Sequence, residues 1–159
     1  MLTIRDAGVD DAAACATIYA PYVRDTVISF EEHPPSPGTM AERMAAAHEW
    51  LVGEDAGRVV GYAYAGSFND RHAYRYTCGV SVYLETGRRR TGAGRSLYEE
   101  LFGRLRDRGY VRAAAGITLP NEASIGLHAA LGFAPVGTFP RVGWKFDAWH
   151  DVAWMQRDL

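Results

Sequence analysis

The segment Arg88-Arg89-Arg90-Thr91-Gly92-Ala93-Gly94-Arg95 concentrates four arginines around two glycines. Each guanidinium is a permanent cation whose forked donors match phosphate or carboxylate oxygens. Glycine lets the backbone turn tightly and approach a ligand closely. An amphipathic run follows at once, Ser96 to Arg108, with Leu97, Leu101 and Leu105 four apart on one helical face. The free N–H groups and the positive dipole end of that helix would meet the glycine turn. Strand, glycine turn and helix in that order therefore read as a site for phosphate oxygens. A solvated basic loop is the plainer alternative.

Other phosphate-site patterns fail. A GxxxxGK[ST] loop needs a lysine in the turn, and the only lysine is Lys145. A dinucleotide fingerprint needs a third glycine and a later acid within repeated βαβ units, and neither is clear. Cys15 and Cys78 lie far apart and the five histidines are scattered, so neither a disulfide framework nor a metal site is expected. Lys and Arg number 17 against 19 Asp and Glu, so bulk charge does not suggest a nucleic-acid partner. No run approaches the ~18 apolar residues of a membrane helix, and MLTIRDAGVDD lacks the basic-then-apolar pattern of an export signal. A cytoplasmic location is expected, with no membrane partner.

The elements that must position the arginine turn can be read from periodicity. With 159 residues, 48% of them apolar, the chain is expected to form one domain, 1–159. Residues 2–6 alternate as a strand. Asp10 caps a helix over Ala12 to Tyr22, and 31–38 is a proline-rich loop. Thr39 and Glu42 form a capping box that opens a second helix ending near Trp50. Leu51-Val52 and Arg58–Gly66 are strands joined by a turn. Tyr74–Leu84 is the strongest strand, with Cys78, Val80 and Val82 on one face and Thr77, Gly79, Ser81 and Tyr83 on the other. After the helix that stops at Gly109, Val111–Thr118 is a strand and Asn121 opens a helix ending at Gly132. Phe133–Gly137 and Val152–Leu159 are strands around a polar aromatic loop, GWKFDAWHD. The order β-α-α-β-β-β-α-β-α-β-β makes a mixed α+β fold.

On these residues the chain resembles the GNAT superfamily of N-acetyltransferases. The signature RxxGxG after SVYL, and the segment NEASIGLHAALGF (Asn121 to Phe133), carry the likeness. More closely, IYAPYVRDTVISFE, AYRYTCGVSVYLE, RRRTGAG, LPNEASIGLHAALGF and KFDAWHDVAWMQRDL resemble the phosphinothricin and methionine sulfoximine N-acetyltransferases, over nearly the whole chain. The resemblance implies a mixed α/β fold. Its central sheet is mostly antiparallel, splays between two parallel strands, and is flanked by about four helices. It implies acetyl-CoA as co-substrate, held by backbone groups of Val82, Tyr83 and Leu84 and by the turn Arg89, Arg90, Thr91, Gly92, Ala93, Gly94 and Arg95, with Asn121 and Ser124 on the other side. It also implies a small-molecule amine acceptor and a homodimer formed through the C-terminal region.

Acetyl transfer to an amine needs a neutral nucleophile, a donor to the oxyanion and a proton for the departing thiolate. The resemblance puts His128 in the place of the acid, and Tyr83 and Glu31 among the catalytic candidates. The sequence departs from the similar enzymes at Gly79, where they carry a glutamate read as the base. A low-pKa acceptor, a substitute such as Glu31, His72 or a water on Thr77 and Ser81, or a pocket reshaped for a bulkier amine would each account for it. Acceptor candidates are Phe30, Glu31, Tyr64, Arg75, Thr77, Gly79, Lys145 and Trp149. Competing readings are a related enzyme with another amine, a non-catalytic acyl-CoA-binding module, and a polyanion binder using the arginine run.

Overall fold

The computed structural model describes residues 1–88 and 90–159; Arg89 lies outside them. Eleven elements follow the expected order: β1 (Thr3–Asp6), α1 (Ala12–Asp25), α2 (Pro37–Ala46), β2 (Glu49–Asp55), β3 (Arg58–Ser67), β4 (Thr77–Leu84), α3 (Ala93–Asp107), β5 (Arg112–Thr118), α4 (Glu122–Ala130), β6 (Ala134–Lys145) and β7 (Ala148–Asp158), with short 3₁₀ turns at 9–11 and 72–74. The strands make one sheet in the order β1-β2-β3-β4-β5-β7-β6. Among the described residues only β4 and β5 run parallel. Among the described residues no helix is long and apolar enough to cross a membrane.

Strand alternation divides the core in two. Cys78 and Val80 of β4 and Ala113, Ala115 and Ile117 of β5 face α3, whose Leu97, Leu101 and Leu105 are fully buried. On the other face Val52 and Tyr62 pack against Cys15, Ile18, Tyr19 and Val23 of α1. A leucine side chain removed wholly from water contributes about 1.5–3 kcal/mol, so the spacing of α3 is enough to fix that helix on the sheet.

Local chemistry corrects several boundaries. Asp10 does not cap α1; the neighbouring Asp11 accepts the Gly8 N–H over 2.7 Å and pairs with Arg5. The second helix starts earlier, because Ser36 accepts the Thr39 N–H and Pro37 takes the first helical position, where its missing N–H costs nothing. It also ends earlier, at Ala46, and Trp50 lies inside β2, stacked 4.4 Å from Tyr64. The strand expected from Tyr74 begins at Thr77.

The largest difference is the segment 143–151. It is no loop: β6 and β7 form a long antiparallel hairpin whose two turn residues, Phe146 and Asp147, both have positive φ. Two such residues make the tight primed turn that suits the twist of a hairpin.

Candidate active site

β4 and β5 pair only at Thr77↔Arg112, Cys78↔Ala113 and Gly79↔Ala114. Beyond Gly79 they part, and a cleft opens between Val80–Tyr83 on one side and Ala115–Thr118 on the other. Asn121, Ser124 and His128 of α4 and Tyr98 of α3 close one end, and Ile28 reaches in from the opposite face. A strand edge left unpaired in this way offers backbone groups that an amide-bearing ligand can satisfy. Val82 and Tyr83 stand on that edge. The Leu84 carbonyl already accepts the Tyr22 hydroxyl over 2.6 Å.

His128 is buried against Phe133 and Tyr98. Its Nδ1 lies 2.7 Å from the Ser124 carbonyl oxygen. A carbonyl only accepts, so Nδ1 carries the hydrogen and, in the neutral ring, Nε2 is an acceptor. Tyr98 Oη lies 3.1 Å from Nε2 and donates to it. Burial lowers the imidazole pKa, opposed by the Ser124 contact, so the ring is held neutral. Asn121 caps α4 by accepting the Ser124 N–H.

The arginine turn meets α3 where Gly92, at φ 82°, sits as the residue before the helix. The left-handed backbone there favours glycine. The first-turn N–H groups of Ala93, Gly94 and Arg95 have no acceptor inside the helix. Arg90 is exposed and has positive φ. Arg88, in contrast, is spent on Glu85 and Asp55, and Arg95 pairs with Glu99 over 2.8 Å. Thr91 Oγ1 donates to the Arg88 carbonyl, which ties the turn to itself.

Glu31 does not stand free. Arg43 donates to both of its oxygens and Tyr19 to one. Arg43 holds the carboxyl below the usual range, so it is a weak base. Tyr83 lies in a cluster with Tyr19, Tyr22 and Tyr62, at ring separations of 4.9, 5.2 and 5.5 Å. Burial pushes its hydroxyl well above its ordinary pKa, so it remains a protonated wall of the cleft.

The remaining acceptor candidates divide. Tyr64 pairs with Ser81 across β3 and β4 and lies on the same side as Thr77 and Gly79. Arg75 is turned onto the Tyr76 ring at 4.5 Å and donates to the His72 carbonyl. Lys145 is buried, and Nζ donates to the Val23, Thr26 and Ser29 carbonyls. Its three hydrogens are used, so it holds the loop after α1 rather than presenting its charge to an acceptor. Phe30 packs on Gly143, where a Cβ would collide with the ring. Trp149 is exposed at the hairpin end, edge-on to Trp144. Sequence reasoning missed Tyr98, Thr118 and Ile28. Tyr98 follows Leu97 on a buried helix face and reads only as core.

Among the described residues no three His, Cys, Asp or Glu side chains gather to hold a metal ion. The chain matches the family described as "Acetyltransferase (GNAT) family" over residues 14–133. It is 37% identical over 159 residues to a phosphinothricin N-acetyltransferase of Streptomyces viridochromogenes, covering 98% of this chain and 87% of that one. It is 38% identical to an L-methionine sulfoximine/L-methionine sulfone acetyltransferase of Pseudomonas aeruginosa, covering 99% and 94%. Its fold superposes with a TM-score of 0.95 on a phosphinothricin acetyltransferase from Sinorhizobium meliloti solved with acetyl-CoA, at 39% identity and covering 99% and 88%.

Proposed function

The chain belongs to the acetyltransferase (GNAT) family, and from that premise we propose that it transfers an acetyl group from acetyl-CoA to the primary amine of a small, amino-acid-like molecule. The observation that carries the reading is the cleft between β4 and β5, with an unpaired strand edge at one side and a glycine turn at a helix N-terminus beyond it. Those features suit the coenzyme. The β4 edge at Val82 and Tyr83 would hold its amide-bearing arm, and the N–H groups from Gly92 to Arg95, with Arg90, its phosphates. Asn121 and Ser124 would face it from α4. When bound, the coenzyme supplies an acetyl group activated as a thioester.

The protein's own groups then manage one proton and one approach. The hydroxyl of Tyr98 holds a proton on the cleft wall, and His128 Nε2 orients that hydroxyl. The acid proton expected on His128 thus resides on Tyr98, with His128 as its partner. Among the described residues that line the cleft none is Asp or Glu, so an acceptor amine must arrive neutral or pass its proton to water.

The exposed stripe Phe139, Val142, Trp144, Phe146 and Trp149 along the hairpin supports self-association of two chains through this C-terminal face. Arginines spent on Glu85, Asp55 and Glu99 leave little of the footprint a polyanion binder needs. Release of free thiol from acetyl-CoA on adding primary amines tests the proposal. Binding of the coenzyme without release for any amine would favour an acyl-CoA-binding module.

A further inference from the structure

Gly66 of β3 and Gly79 of β4 are cross-strand partners, and both are bare. A Cβ on Gly66 would meet nothing within 4 Å, and one on Gly79 only the Ser67 carbonyl at 3.9 Å. Gly79 pairs in turn with Ala114 of β5, so a floor of glycine, glycine and alanine crosses three strands on the face that carries Ser81 and Tyr83. It adjoins the cleft, because Ser81 and Gly116, which line the cleft, come two residues after Gly79 and Ala114 on the same face.

Aromatic rings border this floor. Trp154 of β7 lies on Gly116, where a Cβ would sit 3.1 Å from the indole. The Phe68 ring, just past β3, meets the Trp154 ring edge-on at 6.1 Å and the Tyr74 ring at 5.7 Å. β3 and β7 are separated by β4 and β5, a span of about 14 Å at ordinary strand spacing. Ring centroids only 6.1 Å apart therefore show that the two side chains lean towards each other across these strands. Phe68 and Tyr74 remain 39% and 42% exposed, so apolar surface is available to a ligand there. Two arginines at this end are occupied, Arg75 on Tyr76 and Arg112 on Asp158.

We infer that the acceptor carries a flat apolar group, of the size of an aromatic ring, that lies on the Gly66–Gly79 floor against Phe68 and Trp154. This rests on the acetyltransferase reading and names its substrate class: amino compounds with aromatic side chains rather than compact polar ones. Small residues below and ring edges beside a flat group give the contact that aromatic recognition needs.

The test compares L-phenylalanine with L-methionine sulfoximine, which share an α-amino acid backbone and differ in side chain. Expected is a kcat/KM at least tenfold higher for phenylalanine. Gly79→Leu, which fills the floor, and Trp154→Ala, which removes a wall, should each collapse that ratio tenfold, with melting curves confirming that the variants fold. Phenylalanine should also raise the melting temperature of the wild type without coenzyme, and not that of Gly79→Leu. A preference for methionine sulfoximine, or a ratio unchanged in Gly79→Leu, would overturn the inference. If acetyl-CoA itself does not bind, the proposed function falls, and the coenzyme-free shift still decides the pocket.

Discussion

Lys145 Nζ donates to the Ser29 carbonyl oxygen over 2.6 Å, joining the end of the β6–β7 hairpin to the loop after α1. The same ammonium takes the Val23 and Thr26 carbonyls. Ser29 Oγ in turn meets the Tyr19 hydroxyl, which donates to Glu31. The only lysine of the chain thus anchors the segment that delivers Ile28 to the cleft.

Lys145→Met leaves three carbonyl oxygens without their charged donor. The expected loss is roughly 2–4 kcal/mol, as for hydrogen bonds from a buried charge, read from urea midpoints. Lys145→Arg should not restore it, because a planar fork cannot serve three separate carbonyls as a rotating ammonium does. Wild-type stability in Lys145→Met would show that the contacts contribute nothing.

Gly143→Ala should be costly for a different reason. Its Cβ would occupy the place of the Phe30 ring, so the ring must leave and the loop with it. Overpacking of this kind costs about 1–3 kcal/mol. Acceptor KM should rise with the coenzyme affinity held, which parallel titrations of both substrates would measure.

The pH dependence of stability follows from His128. Burial sets its folded pKa below the 6.5 of the free side chain. As pH falls, the unfolded chain therefore takes the proton first. Stability is complete above pH 6.5 and declines below it towards the folded value, with a slope of at most about 1.4 kcal/mol per pH unit. Glu31 and Asp11, held low by Arg43 and Arg5, lose their contribution only below about pH 4. Urea midpoints at pH 7.5, 6.5 and 5.5 should fall in the wild type and stay level in His128→Gln. Parallel curves would refute the assignment.

Gly92→Ala places a Cβ on a residue with φ 82°, a conformation that costs an ordinary residue about 1–2 kcal/mol. The strain falls on the turn assigned to the coenzyme phosphates. Its dissociation constant should rise by about tenfold, with the acceptor KM nearly unchanged. Calorimetric titration of acetyl-CoA would show this, and unaltered affinity would place the phosphates elsewhere.

Much of this architecture could be read before any coordinates. The leucines of α3, the alternation of β4 and the glycines at 92, 109 and 132 act over a few residues, and periodicity reports such short-range causes directly. The hairpin escaped because Phe146-Asp147 lacks the Asn-Gly or Asp-Gly pair that marks a primed turn. Lys145 was expected among the acceptor-binding residues; its structural role escaped because its three carbonyl partners lie 116 to 122 positions away in the chain. The Tyr98–His128 bond joins residues 30 positions apart, and no local pattern encodes it. The floor at Gly66 and Gly79 became visible only once register placed the two glycines opposite each other.

The central claim is that this cleft moves an acetyl group from acetyl-CoA to an amine. The most direct measurement follows free thiol and N-acetylated product together, with purified protein, acetyl-CoA and L-phenylalanine. The account predicts one thiol released for each amine acetylated, and no thiol above background when either the amine or the protein is left out. Thiol release indifferent to the amine, or no acetylated product from any primary amine despite bound coenzyme, would contradict it.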